Sequence, residues 1–470
     1  MTSTSLWHDR TPWHAPAVQA DVDLAGPWDV VVVGAGLTGL TTALLLGRAG
    51  KRVLVLEARQ VGAGATGSST AKVSLLQGTR LSSIRRHHPA STVARYVEAN
   101  REGQAWVERF CDEHGVGLAH APAYTYGHGR VGAARARREH DVARDAGLPV
   151  SWTDQVDLPF PTSGAVRLDD QVQLDPMELL GALAAEAVRH GVVVVEGVRV
   201  LKVRGSSPVR VTTYEHEVRT ERLVLATNMP ILDRGAFFSR MTPARSYGLA
   251  YRTDAEPVGA MYLSADQPSR SLRDAVDQDG QQLLLVGGSG HTTGRSTPTS
   301  AHVDELRTWT AEHFPGARET HAWSAQDFVP HHQLPFAGPL LPGSDHLLMA
   351  GGYAKWGMTN AVAASLALSS RILGGHTEWA DAFATWSPHE LRGLPASAKM
   401  NAEVGIELAR GWLPPLRRTS RSKVCTHLGG VTTWNDAESS WDCPLHGSRF
   451  DADGSVLDGP AVCGLRHAEG

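Results

Sequence analysis

Four residues late in the chain have side chains that bind transition metals. Cys425 and His427 stand two positions apart, Cys443 and His446 stand three positions apart, and fifteen residues separate the two pairs. Thiolates and imidazoles are the softer ligands that iron, zinc and copper take in proteins. The four residues therefore predict a metal centre that is built from two short loops.

Two kinds of centre use two cysteines and two histidines. A structural zinc site usually keeps its cysteines in one pair and its histidines in the other. Here each pair mixes one cysteine with one histidine, which is the pattern of a Rieske [2Fe–2S] centre with two cysteines on one iron and two histidines on the other. Glycine and proline in both loops, 425–430 and 441–450, let the backbone fold closely around the sulfur atoms. We therefore expect a Rieske cluster, which transfers one electron at a time, and keep zinc as the alternative.

A dinucleotide-binding pattern begins at residue 28. Apolar runs over 28–33 and 52–56 predict two strands, and a leucine-rich run over 40–49 between them predicts a helix. The glycines before the helix permit a tight turn and close approach of a pyrophosphate, and an acid after the second strand accepts a hydrogen bond from the ribose. The residues that we expect at the dinucleotide are Gly34, Gly36, Leu37, Thr38, Gly39, Glu57 and Ala58.

A second glycine-rich stretch over 62–72 favours FAD over NAD. Nicotinamide domains usually continue to the next helix and strand here, whereas flavoproteins of the glutathione-reductase and amine-oxidase type use such a loop to follow the diphosphate toward the flavin. A strand pair over 196–204, a strand over 222–228 and a helix that begins at 356–359 complete that pattern. The further residues expected at FAD are Gly64, Thr66, Ser68, Val200, Ala226, Thr227, Gly352, Gly357, Met358 and Thr359.

The chain resembles FAD-dependent oxidoreductases of the D-amino-acid-oxidase and glycine-oxidase type, and more narrowly the bacterial subgroup that carries a Rieske domain. The turn at Gly34 and the segments 66–72, 121–126, 323–327 and 354–360 carry the resemblance. It implies an α/β fold, with a Rossmann-like FAD-binding part of the glutathione-reductase type and an antiparallel sheet over the flavin. A small all-β Rieske module follows.

The resemblance also implies an activity. The enzyme would oxidise a small amine or amino acid by hydride transfer to FAD and pass the electrons through the cluster to O₂, a quinone or a redox protein. Two alternatives stay open, a flavin oxidase that uses O₂ and has a vestigial Rieske tail, and a non-catalytic electron-transfer protein. Bleaching of the flavin by a substrate distinguishes either enzyme from the electron-transfer protein.

Three parts of the chain are expected: an N-terminal arm over 1–27, the oxidoreductase over 28–410 and the Rieske module over 411–470. A Rieske domain normally has several strands before its first ligand loop, but only 411–423 precede that loop here. The supporting sheet is therefore predicted to be shortened at both ends. This weakens the argument for a bound cluster, because cluster ligands need a rigid shell.

Catalytic residues are poorly determined, because the flavin itself carries the chemistry of amine oxidation. Lys355 precedes the helix expected to face the flavin and is the one candidate, with a surface lysine in a turn as the alternative. Tyr247, Tyr251 and Trp323 are candidates for the pocket, although aromatic residues at strand positions more often belong to the core. His331 and His332 are interpreted as a loop pair and not as a metal site.

Composition excludes several classes of function. The chain has 470 residues, of which 42% are hydrophobic and 20% charged, and its net charge of −4 gives no reason to expect nucleic acid or a membrane surface. No apolar run approaches the ~18 residues of a membrane span, and the first 27 residues show no signal peptide. Four cysteines, two of them expected at the cluster, do not form a disulfide framework. We therefore expect a cytoplasmic protein without a membrane span.

Overall fold

The computed structural model describes residues 4–11, 24–413 and 423–465. Its helices and strands form two large sheets with helices packed on them, followed by a small third sheet. The α-helices are Leu6–Arg10, Leu37–Arg48, Arg80–Arg85, Ala90–His114, Arg130–Asp145, Pro176–Arg189, Ser300–His313, Gly357–Ile372 and His389–Trp412, and the 3₁₀ helices are Arg234–Ser239 and Glu378–Phe383. Across the described ranges, none of these helices has the length and apolar character needed to cross a membrane.

The first sheet is the predicted nucleotide-binding sheet. Its strands lie in the order Phe336–Pro339, Leu347–Gly351, Glu217–Leu225, Trp28–Val33, Val53–Leu56 and Val193–Val195, and the strands Lys202–Arg204 and Val209–Thr212 extend it from Glu217–Leu225. Trp28–Val33 is parallel to both of its neighbours. Its last four residues are buried, as expected for a parallel strand with both faces covered. The prediction of a strand pair over 196–204 is wrong, because Val193–Val195 lies before that range and pairs with Val53–Leu56, and Lys202–Arg204 pairs with Val209–Thr212.

The turn from the first strand to its helix depends on two glycines. Gly34 has φ +104°, and a Cβ there would lie 2.8 Å from the carbonyl oxygen of Ala226. A Cβ on Gly39 would overlap the carbonyl oxygen of Gly34. The helix was predicted over 40–49 and begins at Leu37, because Gly39 lies within its first turn instead of preceding it.

The second sheet is the antiparallel sheet that the family resemblance implies. Its strands lie in the order Arg318–Pro330, Met241–Arg252, Gln282–Thr292, Arg270–Val276, Met261–Ser264, Leu118–Tyr126, Ala165–Leu174 and Lys72–Val73, with Ser151–Thr153 paired to Ala165–Leu174. All of these pairs are antiparallel except Met261–Ser264 with Leu118–Tyr126. The α/β class and the sheet over the nucleotide site are therefore confirmed.

The third sheet belongs to the predicted Rieske module. Its strands Thr433–Asn435, Ser440–Asp442, Arg449–Phe450 and Val456–Asp458 are antiparallel in that order, and Val424 pairs with Val431 in an isolated bridge. Each strand has only two or three residues. The described part of the module is thus small, as the sequence indicates, and residues 414–422 of its expected lead-in lie outside the described residues.

A buried carboxylate fastens this small module to the second sheet. Glu438 accepts hydrogen bonds from Arg245 Nε at 2.6 Å and Arg245 Nη2 at 2.7 Å, and from Ser324 Oγ at 2.6 Å. Arg449 of the third sheet lies 3.4 Å from the same carboxylate. Burial raises the pKa of Glu438, but the charges of Arg245 and Arg449 outweigh that effect and hold it well below its usual value. Glu438 therefore stays ionised between two cations.

Further contacts surround this ion pair. The Asp436 carboxylate accepts hydrogen bonds from the backbone N–H groups of Thr299 and Ser300 at 2.7 and 3.2 Å. On the other side, Arg295 Nε donates to the carbonyl oxygen of Pro444 at 2.9 Å. The oxidoreductase domain thus supplies the rigid support that the shortened third sheet lacks.

We expect Glu438→Ala to weaken the attachment of the module by about 3–5 kcal/mol, since the buried Arg245 and Arg449 would lose their shared carboxylate. Thermal unfolding should show an earlier transition for the module. Asp345→Ala is the control, because it breaks the exposed Arg371–Asp345 pair and should cost at most about 1 kcal/mol. Equal shifts for both variants would contradict the role of Glu438.

Candidate active site and iron–sulfur centre

A cavity of about 430 Å³ lies between the two large sheets. Most residues that the sequence predicts at FAD line it. These are Gly34, Gly36, Leu37, Thr38, Glu57, Ala58, Gly64, Thr66, Ser68, Val200, Ala226, Thr227, Gly357 and Met358. The structure therefore brings residues from six separate segments of the chain to one site.

At the nucleotide end, Glu57 organises the turn. Its Oε2 accepts a hydrogen bond from the N–H of Ala35 at 2.8 Å, and its Oε1 accepts one from the N–H of Arg59 at 2.9 Å. A carboxylate has about four lone-pair positions, so acceptor capacity remains for a ribose hydroxyl. Thr66 Oγ1 accepts from the N–H of Leu37 at the start of the helix. These contacts shape a cradle that fits a dinucleotide.

Three predicted residues lie behind the cavity wall. Gly39 packs under the glycine turn. Gly352, with φ +74°, donates its N–H to Asn228 Oδ1 at 2.9 Å. Thr359 donates to Asn100 Oδ1 at 2.6 Å inside the core. They affect the shape of the site from outside its lining.

A buried carboxyl organises the opposite end of the cavity. Asp327 accepts hydrogen bonds from Asn228 Nδ2 at 2.7 Å and from the N–H groups of Phe328 and Lys355. Burial raises its pKa. In the sequence, Asp327 was only the last residue of the segment 323–327 that carries the family resemblance, and no role was predicted for it. Its burial could not be predicted, because the segments that surround it lie far apart in the chain.

Lys355 lines this end of the cavity and is an exposed residue, although protein atoms lie close enough around its amine to desolvate it. Its role at the flavin stays a prediction. Its backbone has φ +74°, and burial lowers the pKa of its amine. Its Nζ lies against Gly290 of the sheet above. Gly357 and Met358 follow at the start of the 16-residue helix Gly357–Ile372, whose N-terminus favours negative charge.

Two of the three aromatic residues predicted for the pocket belong to the cavity wall, whereas Tyr251 is buried in the core of the sheet instead. Tyr247 lines it and contacts His291 Nε2 through its hydroxyl at 3.2 Å. Burial raises the pKa of Tyr247 and lowers that of His291 to about 4. Trp323 lines the cavity as well and donates its indole N–H to the carbonyl oxygen of Ser68 at 2.9 Å. Both aromatic residues are thus at the cavity and in the core of the sheet.

The two metal-ligand loops have the same backbone geometry. In the first, the N–H of Cys425 donates to Gly430 O at 2.8 Å, and the N–H of Gly429 donates back to Cys425 O at 3.1 Å. In the second, the N–H of Cys443 donates to Ser448 O at 2.8 Å, and a glycine N–H at position 447 donates to Cys443 O at 3.2 Å. Both glycines after the histidines, at 429 and 447, have φ between +70° and +80°. The loops are therefore equivalent halves of one site.

The four side chains converge where the loops meet. The thiols of Cys425 and Cys443 lie within hydrogen-bond reach of each other and are buried. The rings of His427 and His446 lie 5.2 Å apart, and Phe238 packs against both. All four predicted ligands are thus brought together.

The histidines present free nitrogen atoms to this centre. His427 Nε2 lies 2.6 Å from Asp233 Oδ1. Because a carboxylate only accepts, Nε2 is the donor in this contact, which leaves Nδ1 as the nitrogen available to a metal. His446 Nδ1 is buried and has no hydrogen-bond partner among the described residues, and burial lowers the pKa of this imidazole to about 3. A neutral ring with an unpartnered buried nitrogen fits a metal ligand.

The ligand pattern separates the two kinds of metal centre. Each loop brings one cysteine and one histidine to the site. A structural zinc site needs four ligands on one ion, whereas a Rieske cluster takes two on each of two irons. The residues fit the cluster. His331 and His332 instead lie 3.2 Å from Glu390, in agreement with their interpretation as a loop pair.

The module also contributes a wall of the cavity, which sequence analysis did not predict. Leu457, Asp458, Gly459, Ala461 and Val462 line the nucleotide end. Asp458 lies 3.5 Å from Arg59, and Arg199 donates to the carbonyl oxygen of Val456 at 3.0 Å. No local pattern in the sequence signals these contacts between distant segments.

FAD is expected to be bound without a covalent bond, because no His or Cys appears among the described residues that line the cavity. Acid precipitation of the purified protein should leave yellow flavin in the supernatant. A yellow pellet after washing would contradict this expectation.

Comparisons with known proteins agree with the two sites. The model of the family described as FAD dependent oxidoreductase matches residues 29–371, and the model described as Rieske [2Fe-2S] domain matches residues 419–468. Over 97% of this chain and 95% of the relative, the sequence is 31% identical to a Bacillus subtilis (strain 168) protein, YhfW, which is named as a Rieske 2Fe-2S iron-sulfur protein.

More distant relatives resemble the two parts separately. The cytochrome b6-f complex iron-sulfur subunit 1 of Nostoc sp. (strain PCC 7120) is 60% identical over 48 residues, which are 10% of this chain and 27% of that protein. The crystal structure of glycine oxidase from Geobacillus kaustophilus shares the fold, with a TM-score of 0.63 and 20% identity over 77% of this chain and 98% of its own. The chain belongs to the FAD-dependent oxidoreductase family and carries a Rieske [2Fe–2S] domain after the oxidoreductase domain.

Proposed function

We propose that this enzyme oxidises a small amine or amino acid at the flavin and sends the electrons out through its Rieske domain. Oxidation of a CH–NH group to C=N releases two electrons and two protons. When bound, FAD accepts a hydride from the substrate carbon, and the cluster carries single electrons. The acceptor is proposed to be O₂, a quinone or a redox protein, and the cytoplasmic location stays a prediction.

One contact carries this proposal. Gln326 belongs to the strand that walls the cavity, and its side chain points to the Rieske module, where Nε2 donates a hydrogen bond to the carbonyl oxygen of Gly447 at 2.8 Å. Gly447 directly follows the ligand His446. Gln326 Oε1 accepts from Thr293 Oγ1 at 2.8 Å, so the bridging amide is held at both ends. A single side chain therefore joins the wall of the flavin cavity to a cluster-ligand loop. Because electron transfer weakens steeply with distance, this contact favours exchange between the two cofactors.

The chain's own residues can support the flavin end of the reaction. The N-terminus of Gly357–Ile372 and the amine of Lys355 place positive charge at the cavity, which favours the negative charge that a reduced flavin ring gains. The Asp327 carboxyl holds the backbone of the preceding turn through the N–H of Lys355. The lowered pKa of Lys355 also makes its amine a candidate to hold or move a proton near the substrate.

The structure supports a compact substrate. The cavity is at the lower end of the usual size for small-molecule sites, and a dinucleotide must occupy the part between Glu57 and Gly357. The remaining space lies beneath Tyr247 and Gly288 of the antiparallel sheet. This favours a small amine or amino acid over a polymeric substrate.

Anaerobic mixing of the holoprotein with a panel of small amines and amino acids of both hands tests the proposal. We expect one class to bleach the flavin absorption and then to produce the paramagnetic signal of a reduced Rieske cluster without added reductant. If the flavin stays oxidised with the whole panel, the protein is a non-catalytic electron carrier. If the flavin is bleached and O₂ restores it while the cluster stays oxidised, the protein is an oxidase.

Cys443→Ser should abolish the paramagnetic signal and reduce turnover with an artificial one-electron acceptor at least about tenfold, because cluster assembly needs this thiolate. Flavin bleaching by the substrate should persist, since Glu438 still fastens the module to the sheet. Cys111→Ser is the matched control, because this buried thiol lies in the helix Ala90–His114. Unchanged acceptor turnover in Cys443→Ser would overturn the electron route.

A further inference from the structure

We propose that the helix His389–Trp412 binds the surface of an anionic lipid membrane and places the cluster loops beside it. The proposal concerns an interaction surface and does not depend on the reaction proposed above. It rests on an exposed apolar face, a row of cations beside that face, and the contact of the helix with a ligand loop.

The exposed side of this helix is apolar along its whole length. At 100° per residue, one face of the helix contains Leu391, Leu394, Pro395, Ala398, Ala402, Gly405, Ile406, Ala409 and Trp412. Leu413, the C-cap residue, continues this face. The large members are 47–68% exposed. The opposite face turns inward and includes Gly393, Met400 and Gly411. A surface helix normally shows its polar face to water, so this helix has the reverse orientation.

Exposed apolar side chains are concentrated here. In the described ranges, thirteen large hydrophobic residues are exposed, and seven of them lie between Trp386 and Leu413. Single exposed apolar residues are normal, but a continuous apolar patch marks an interaction surface. No described segment packs on this face.

Cations line one edge of the apolar face. Arg392, Lys399 and Arg410 lie within about 20° of one another around the helix axis, some 80–100° from the centre of the face. Lys and Arg side chains at such an edge can extend to lipid headgroups while the apolar face enters the acyl boundary. The row is therefore positioned for an anionic bilayer.

Two of the three acidic residues of the helix are paired outside the row of cations. Glu390 pairs with Arg240 and Glu403 pairs with Arg295, both of which belong to the oxidoreductase domain. Glu407 pairs with Arg410 and offsets its charge, so Arg392 and Lys399 carry the charge of the row. The remaining cations at the edge favour an anionic partner, although the whole chain has a net charge of −4.

The same charge disfavours a second copy of the chain on this face. Antiparallel packing of two such helices about a twofold axis would bring Arg392 of one copy beside Arg410 of the other, on the same edge. Like charges at that distance repel. A lipid surface meets both the apolar face and the cations without such repulsion.

The face continues to the iron–sulfur centre. Trp412 donates its indole N–H to the carbonyl oxygen of Gly429 at 2.9 Å, and Gly411 packs against Val431. Leu428, which follows the ligand His427, is also exposed. A membrane bound by the helix therefore lies next to the first ligand loop.

Sedimentation of the holoprotein with vesicles tests this surface. We expect binding to vesicles of phosphatidylglycerol and phosphatidylcholine at low salt, and much weaker binding to pure phosphatidylcholine. The double variant Leu391→Glu, Ile406→Glu should lower the apparent affinity about tenfold or more, because two acids would enter the apolar face. Flavin content monitors folding.

Val131→Glu, Val188→Glu is the matched control, because it adds the same charge at two exposed valines of other helices. This variant should bind vesicles about as the native protein does. Absence of sedimentation with anionic vesicles, equal binding to neutral vesicles, or equal loss in the control variant would overturn the proposal. A dimer in solution that only Leu391→Glu, Ile406→Glu dissociates would also overturn it and assign the face to a second copy.

Discussion

The salt bridge between Glu438 and Arg245 is the interaction on which the arrangement of the two redox sites depends. A sheet of four strands with two or three residues each buries too little apolar surface to hold two ligand loops in place. Its core contains only a few side chains besides the two cysteines, such as Leu445 and Phe450. A carboxylate buried between Arg245 and Arg449 instead anchors it to a large sheet. Removal of one partner from such a group is costly, which makes the position of the module specific.

The same part of the antiparallel sheet serves both cofactors. The strands Met241–Arg252 and Arg318–Pro330 place Tyr247 and Trp323 at the flavin cavity and Arg245 and Ser324 at the Rieske module. Gln326 contacts both. One sheet thus covers the flavin and substitutes for the strands that the module lacks. This explains how a short Rieske segment can keep both ligand loops ordered in this chain.

Sequence patterns predicted those parts of the molecule that local spacing determines. The glycine turn from Gly34, the acid at Glu57 and the two Cys–His pairs are short patterns with one geometric solution, and the α/β fold and the family followed from them. The contribution of 457–462 to the cavity was missed because it arises from contacts between segments hundreds of positions apart. Support for the cluster was judged from the module alone. The contact of Glu438 with Arg245 could not be included, because the two residues lie 193 positions apart in the chain. The net charge of the whole chain likewise gave no sign of the cations that lie beside Leu391 and Ile406 on the helix His389–Trp412.

The closure of the nucleotide end by the Rieske module has a consequence for assembly. Leu457, Gly459 and Val462 stand across the end of the cavity where the adenosine of FAD is expected, and Asp458 is held there by Arg59 and Arg449. A dinucleotide bound there would contact the module as well as the oxidoreductase domain. Its binding free energy would therefore be linked to the docking of the module, so that each stabilises the other.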